Sequence, residues 1–362
     1  MPDSFDVVIV GAGIVGAACA LECVTAGLSV GVIERDVVGS GATAAGMGHI
    51  VVMDDSPAQL ALTRYSRQLW DALVLDMPER HEYTRCGTIW VAADDEEMQA
   101  VHDKHRAYAA QDVPAAVLDA RALRALEPRL RPGLAGGLLV PGDSVVYAPG
   151  SASVLLERAR QRGAALVHGT ATRLLPGGVR LSDASVVAGD AVVIATGAAA
   201  IDLVPEVPIR PRKGHLAITD RYPGVLRHQL VELGYVKSAH ATSGDSVAFN
   251  VQPRATGQLL IGSSRQLDTR STEIDFSLLA RMVARALEYL PHLCQLSCIR
   301  VWTGLRAATA DGLPLIGPHP ERAGVWLATG HEGLGITGAP ATARLLAAQL
   351  LNRRPAIPHE PY

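Results

Sequence analysis

Phe5-Asp6-Val7-Val8-Ile9-Val10-Gly11-Ala12-Gly13-Ile14-Val15-Gly16, followed by Glu34 eighteen residues after the last glycine, decides the architecture of this chain. Val7 to Val10 is a β-branched run with no polar alternation, which suits a strand buried on both faces of a parallel sheet. Gly11 permits a tight turn, Gly13 lets the backbone approach a pyrophosphate, and Gly16 lets helix and strand pack closely. Ala17 to Ala26 reads as a helix closing on Gly27 as a left-handed cap, and Leu28 to Ile33 as a second strand with Glu34 at its end. Strand, glycines, helix, strand and acid together predict a βαβ dinucleotide-binding unit. The amides at the helix N-terminus would face the phosphates. An acid at position 34 accepts ribose hydroxyls and argues against a 2′-phosphate. The alternative is a purely structural glycine turn.

Outward from this unit, Ser56-Pro57 reads as an N-cap and first turn, with Leu60, Leu69, Trp70 and Leu73 as a buried stripe. Thr88 to Val91 and Ala164 to Val167 read as strands, and Asp94 to Ala110 and Ser151 to Gly163 as helices. Ala191 to Thr196 is another buried strand, running into Gly197. Residues 212–300 alternate and carry turns such as Thr256-Gly257, which suits a mostly antiparallel sheet. Val325 to Ala328 is the last strand, and Pro340 to Leu351 the final helix. The expected fold is α/β: a Rossmann-like dinucleotide-binding domain from residues 1–82, 147–211 and 300–362, and an α+β substrate domain from 83–146 and 212–299.

The chain has 362 residues, with 33 Lys and Arg against 36 Asp and Glu, a formal charge of −3. That balance offers no field for nucleic acid or an anionic membrane. An apolar share of 48% excludes a disordered chain. The five cysteines (Cys19, Cys23, Cys86, Cys294, Cys298) form neither a disulfide framework nor a metal set, and buried small residues are the expectation. No leader pattern and no membrane-span length of apolar residues is visible, so a cytoplasmic location is expected.

Three further segments carry chemistry. Gly39 to His49 is a chargeless run of small residues whose main-chain donors can touch a ligand, with a mobile surface loop as the alternative. Gly304 to Gly317 holds Arg306 in an otherwise uncharged stretch, where a guanidinium can grip a carboxylate through two parallel hydrogen bonds. A surface arginine, or one paired to Asp311, is the alternative. Gly330-His331-Glu332-Gly333-Leu334-Gly335-Ile336-Thr337-Gly338 lies between a buried strand and a helix, where amides place positive potential beside a ligand.

These segments in this order resemble the D-amino-acid oxidase superfamily of FAD enzymes, nearest its glycine and sarcosine oxidase branch. Residues 44–55 and 330–337 most resemble the FAD-carrying subunits of bacterial D-hydroxyproline dehydrogenase. The resemblance implies FAD, with Ile14 and Val15 under the pyrophosphate beside Gly11, Gly13 and Gly16. It implies Glu34 and Arg35 at the ribose and adenine edge, and Ser40, Gly41, Ala45, Gly46 and Met47 over phosphates and flavin. Thr172 falls at the adenine and Gly197 at the cofactor. Gly330, His331, Glu332, Gly333, Leu334, Gly335, Ile336 and Thr337 form the turn at the flavin pyrimidine. Arg306 matches the arginine that binds the substrate carboxylate, and Asn250 stands where the group often has a tyrosine. His49 is a candidate pocket residue or a packing residue. Of the other histidines near the motifs, His215 and His240 are further possible bases. Thr43 occupies the position of a flavin-linked histidine in some relatives, so noncovalent FAD is implied. Arg210, Arg212, Lys213 and His215 read as a solvated basic face or partner contact. The implied chemistry is oxidation of the Cα–N bond of a small D-amino or imino acid, cis-4-hydroxy-D-proline or D-proline first. Partner subunits would carry electrons onward in some relatives. An oxygen-using glycine, sarcosine or D-amino-acid oxidase is the alternative, as is a flavin-holding electron-transfer subunit.

Overall fold

The computed structural model describes residues 4–234, 244–267 and 269–362. His240 and residues 1–3 lie outside the described residues. With strands numbered in chain order, the first sheet runs β17 (Leu315–Pro318), β18 (Val325–Thr329), β11 (Val186–Ile194), β1 (Phe5–Val10), β2 (Val30–Glu34), β8 (Ala165–His168). Every pairing along it is parallel except β17 with β18. A hairpin of β9 (Ala171–Leu175) and β10 (Gly178–Leu181) extends from β11. Val7 and Ile9 pack into one apolar cluster and Val8 and Val10 into another, so β1 is covered on both faces. That is why its sequence shows no alternation. Helix α1 (Ile14–Thr25) closes with Gly27 at φ 96°, where Leu28 N–H reaches Cys23 O at 3.1 Å.

The second sheet runs β16 (Cys298–Ala308), β12 (Arg210–Thr219), β15 (Leu259–Leu267), β14 (Ser246–Pro253), β13 (Gln229–Glu232), β4 (Thr88–Ala92), β6 (Gly136–Val140), β5 (Ala116–Asp119). It is antiparallel except where β13 meets β4. Phe249, Val251, Ile89 and Leu230 pack in one core with the helix Phe276–Tyr289. Their sequence neighbours Asn250, Trp90, Gln229 and Val231 line a cleft instead. The period of two thus turns one face toward a core and the other toward the site.

Several sequence expectations are corrected here. Residues 300–308 belong to β16 and so to the second sheet, not to the first unit. The helix expected from Ser151 begins at Ala148. Cys19 and Cys23 are buried, but Cys294 and Cys298 are exposed. The basic cluster on β12 is a solvated face only at Arg210, which is exposed: Lys213 is buried, with its ammonium on Glu273 O at 3.0 Å. His215 is buried too, accepting Asp275 N–H at Nε2 and meeting Ser264 Oγ through Nδ1. An accepting Nε2 puts the ring proton on Nδ1, a packing arrangement rather than that of a free base.

The final helix begins at Gly335, with Pro340 inside it. Proline has no N–H, so the carbonyl of Ile336 loses its ladder donor. The helix Pro57–Leu73 repairs this. Trp70 Nε1 donates to the carbonyls of Ile336 and Thr337, both at 3.0 Å. Ser66 Oγ donates to Thr337 O at 2.6 Å and accepts Ala341 N–H at 3.2 Å. A proline helix start is therefore a poor guide here, because a neighbouring helix supplies the donors. Trp70→Phe, which removes the indole N–H together with part of a fully buried ring, is expected to destabilise the protein by roughly 2–5 kcal/mol, the cost of a buried unsatisfied carbonyl plus the cavity left behind. A lowered urea midpoint at unchanged slope is the readout, and an unchanged midpoint would contradict the repair.

Candidate active site

Gly11 has φ 102°, and a Cβ there would lie 2.7 Å from Ala195 O. A Cβ on Gly16 would lie 1.9 Å from Gly11 O. The two glycines therefore let α1 sit hard against β1 and β11. Gly13 has no side chain to cap the helix, and Ile14 N–H is taken by Thr43 Oγ1 at 3.0 Å. Glu34 receives Ala12 N–H at 2.7 Å on one oxygen and Asp36 N–H at 2.9 Å on the other. A carboxylate offers about four lone-pair sites, so capacity remains for two ribose hydroxyls. Arg35 is exposed and paired to Asp36 at 3.1 Å. Thr172 is exposed on β9, and its hydroxyl donates to Arg180 O. It lies four residues past His168, which is in register with Glu34. Gly197 has φ 56°, and its carbonyl accepts from Thr329 Oγ1 at 3.1 Å.

The loop over this turn is seated on glycines of the second sheet. A Cβ on Gly304 would lie 2.4 Å from Ala45 Cβ, and one on Gly262 would lie 2.9 Å from Met47 Sδ. A Cβ on Gly46 would lie 3.0 Å from Ile336 Cδ1. The Ser40–Gly41 end is open, with nothing within 4 Å of a Cβ at Gly41. Met47 O accepts from the Gln252 amide. Small residues at 41–46 are thus a packing demand at one end and free space at the other.

Gly330 (φ 83°) and Glu332 (φ 47°) bend the chain after β18. His331 bridges to Ala308, and Glu332 N–H reaches Ala307 O at 2.8 Å, so the turn is stitched to β16 immediately after Arg306. Leu334 N–H reaches His331 O at 2.9 Å, and no side chain caps the helix that follows. Thr337 is fully buried as a tie, its Oγ1 donating to His49 O and accepting Val51 N–H. His331 Nε2 meets Thr342 Oγ1 at 2.8 Å, and burial lowers the ring's pKa to about 4.

Arg212 and Arg306 stand directly opposite on β12 and β16. Like charges in such a pair repel. Glu332 answers them: its Oε1 lies 2.8 Å from Arg212 Nη1 and 3.3 Å from Arg265 Nε. Burial pushes the Glu332 carboxyl up, but Arg265, Arg212 and Arg306 outweigh it and hold it below the usual carboxylate range. Arg306 Nη1 donates to Ser264 O at 3.0 Å. Its guanidinium lies over Gly214, where a Cβ would be 2.5 Å from Nη2. Asp311, the alternative partner, instead accepts Leu313 N–H at 3.1 Å. Arg265, Arg212 and Gly214 were not read as site residues, and Glu332 was read only as part of the flavin turn, not as the partner of these arginines. Only the alignment of two arginines across a strand pair could have flagged them.

A cleft joins these parts. His49, Asn250, Arg306, Arg265, His331, Glu332, Gly333 and Leu334 line it, with Trp90 and Gln229 at the second sheet. The three expected catalytic candidates thus meet in one place. Gly11, Gly13, Glu34 and Thr172 are not part of that cleft lining.

A family model described as FAD dependent oxidoreductase, DAO, matches residues 6–349. The chain belongs to the DAO family of FAD-dependent oxidoreductases. It is 30% identical to a glycine oxidase of Geobacillus kaustophilus over 98% of this chain and 94% of that one. It is 28% identical to a hydrogen cyanide synthase subunit of Pseudomonas aeruginosa over 96% and 92% of the two chains. Among solved structures, the Geobacillus kaustophilus glycine oxidase superposes with a TM-score of 0.88 at 28% identity, covering 99% and 97%. An L-proline dehydrogenase from P. horikoshii superposes at 0.89 with 22% identity, a likeness of fold. The residues present fit FAD. The Gly11–Gly16 cradle would be filled by any Cβ, Glu34 keeps open lone pairs, and the helix after Leu334 starts without a cap. Among the described residues no helix is long and apolar enough to cross a membrane.

Buried histidines, two of them in the cleft, make stability acid-sensitive. Burial lowers His49, His81 and His331 to about 4, and for His49 the Arg306 charge adds to it against a Gln252 hydrogen bond. Their unfolded rings take up protons near 6.5, so this stability is present above that pH and is lost as pH falls toward 4. Asp143 acts oppositely. Burial raises it to about 6 against its hydrogen bonds and Arg67, so the native state gains from its protonation as pH falls below 6. Three protons against one leave unfolding with a net uptake of about two, each worth about 1.4 kcal/mol per pH unit. The urea midpoint is expected to be lower at pH 5 than at pH 7.5, and Asp143→Asn to steepen the loss. Equal midpoints would contradict the assignment.

Proposed function

We propose that this DAO-family enzyme oxidises the Cα–N bond of a small D-amino or imino acid, with D-proline or cis-4-hydroxy-D-proline as first candidates. The observation that carries it is the convergence of Arg306, Asn250 and His49 on the cleft that the 331–334 turn closes. Bound FAD supplies the acceptor for a hydride from the substrate carbon. Residues of the Gly11–Gly16 turn, Glu34 and Arg35, Ser40 to Met47, Thr172, Gly197 and the 330–337 turn would hold it. Thr43, spent on Ile14 N–H, supports noncovalent attachment. Acid precipitation that leaves yellow protein would refute that.

Arg306 orients the substrate by its carboxylate, a positioning effect that removes a search over rotations. The Ser264 carbonyl and the Glu332 charge hold the guanidinium in place. Asn250 can add an amide hydrogen bond at shorter reach than a tyrosine. His49 is a poor base. Lowered to about 4, it would take a proton from a substrate ammonium whose pKa lies many units higher, a strongly uphill transfer. Solvent is the better acceptor, and His49 serves as a neutral hydrogen-bonding wall. The turn amides at 333–335 and the uncapped helix place positive potential at the cofactor.

The glycine oxidase relative, 30% identical over almost the whole chain, supports a second reading: an oxidase for glycine or sarcosine that passes electrons to oxygen. Anaerobic mixing with D-proline, cis-4-hydroxy-D-proline, D-alanine, glycine and sarcosine decides between them. Bleaching of the flavin band by the D-imino acids with slow recovery in air supports a dehydrogenase that hands electrons to a partner subunit. Bleaching by glycine or sarcosine with fast recovery supports the oxidase. No bleaching by any of them would overturn amino-acid oxidation for this panel.

A further inference from the structure

Trp90, Gln229 and Asn250 line the cleft and are all more than nine-tenths buried. Trp90 Nε1, Gln229 Oε1 and Asn250 Oδ1 are each without a hydrogen-bond partner. Buried polar atoms are nearly always paired, so three unpaired ones around one cavity are an unfilled demand. Their placement is set by strand register. Trp90 pairs with Val231 and Val231 with Asn250, one row across β4, β13 and β14. Gln229 is two residues before Val231, on the same face. Trp90 is fixed from behind, with the Lys104 ammonium 4.4 Å from its ring centroid and anchored on Asp54. Arg306 stands on the edge strand β16, while β13 and β4 are four and five strands further across the sheet. Arg306 and this row nevertheless line one cleft.

We infer that Trp90, Gln229 and Asn250 form a side-chain subsite that selects a hydroxyl-bearing amino or imino acid over its unsubstituted counterpart. The atoms decide the ligand class. Trp90 offers a donor, and the two amide oxygens offer acceptors. A hydroxyl can accept from the first and donate to one of the others, whereas an aliphatic side chain satisfies none of them and a carboxylate only the donor. Leaving a site's buried polar groups unpaired is what makes such a site reject the analogue that lacks the group.

The inference rests on the amino-acid reading above, and its test separates the two. Flavin reduction is measured with matched pairs, 4-hydroxy-D-proline against D-proline and D-serine against D-alanine. The hydroxylated member is expected to be favoured in kcat/KM by about ten-fold or more. Trp90→Phe, which removes the indole N–H with part of the ring, and Gln229→Leu, which replaces the amide by an apolar group of similar size, should bring that ratio toward one. Ratios near one in the wild type, or unmoved by both variants, overturn the subsite and mean that water fills it. A titration of the flavin spectrum with 3-hydroxypropionate against propionate needs no turnover. Preference for the hydroxy acid there supports the subsite even where no amino acid bleaches the flavin, an outcome that would sink the amino-acid reading alone. Equal binding of the two acids, with no bleaching, overturns both.

Discussion

Arg306→Leu is expected to lower kcat/KM for the amino-acid substrate by about a thousand-fold. Two charge-assisted hydrogen bonds to a carboxylate contribute about 1.5–3 kcal/mol each, and about 4 kcal/mol in total corresponds to that factor. The effect goes beyond lost affinity, because the same contact aims Cα. Glu332 keeps Arg212 and Arg265, so the fold should survive. Gly214→Ala is the companion test. It leaves the guanidinium in the chain but places a Cβ 2.5 Å from Nη2, which forces it aside. A loss of about ten- to a hundred-fold is expected, since small displacements of a positioning group carry that cost. Steady-state or stopped-flow reduction of the flavin reads both. An Arg306→Leu enzyme within about three-fold of wild type would remove the arginine from the substrate site.

Gly16→Ala is expected to yield a folded protein that has lost FAD. Its added methyl would meet Gly11 O at 1.9 Å and Ala195 Cβ at 3.3 Å, so α1 must move off the sheet. Overpacking of this kind costs about 1–3 kcal/mol. It also withdraws the helix amides from the diphosphate, and FAD affinity should fall by about a hundred-fold or more. A colourless protein with an unchanged far-ultraviolet spectrum is the expected result. Stoichiometric yellow flavin in the variant would show that close helix–strand contact is not what the glycine secures.

The nucleotide turn was legible because every requirement there is local. Gly11, Gly13, Gly16 and Glu34 lie within one βαβ unit, and Ala12 N–H meets Glu34 within 22 residues of chain. The 330–337 turn was legible for the same reason, as a glycine bend between a buried strand and a helix. Arg306 stood out by its solitary charge, but the company it keeps did not. Arg212, Arg265 and Glu332 come from β12, β15 and the turn after β18, and no spacing in the chain links them. The basic run 210–215 was misread because Arg212, Lys213 and His215 find partners inside the fold, and only Arg210 of the four is exposed. Pro340 misled for a related reason: Trp70, 266 residues from Ile336, supplies the donor that a proline start would otherwise imply is missing.

By itself the sequence determined that this chain builds a dinucleotide-binding sheet with glycine-rich contacts to FAD, since backbone conformation and close approach are properties of neighbouring residues. Only the tertiary structure decided which residues line one cleft. Arg306, Asn250, Gln229, Trp90 and His49 belong to strands whose order in space is not their order in the chain. For all of them but His49, which lies in a separate two-stranded sheet, the shared face is set by inter-strand register, which side-chain packing fixes across the whole sheet.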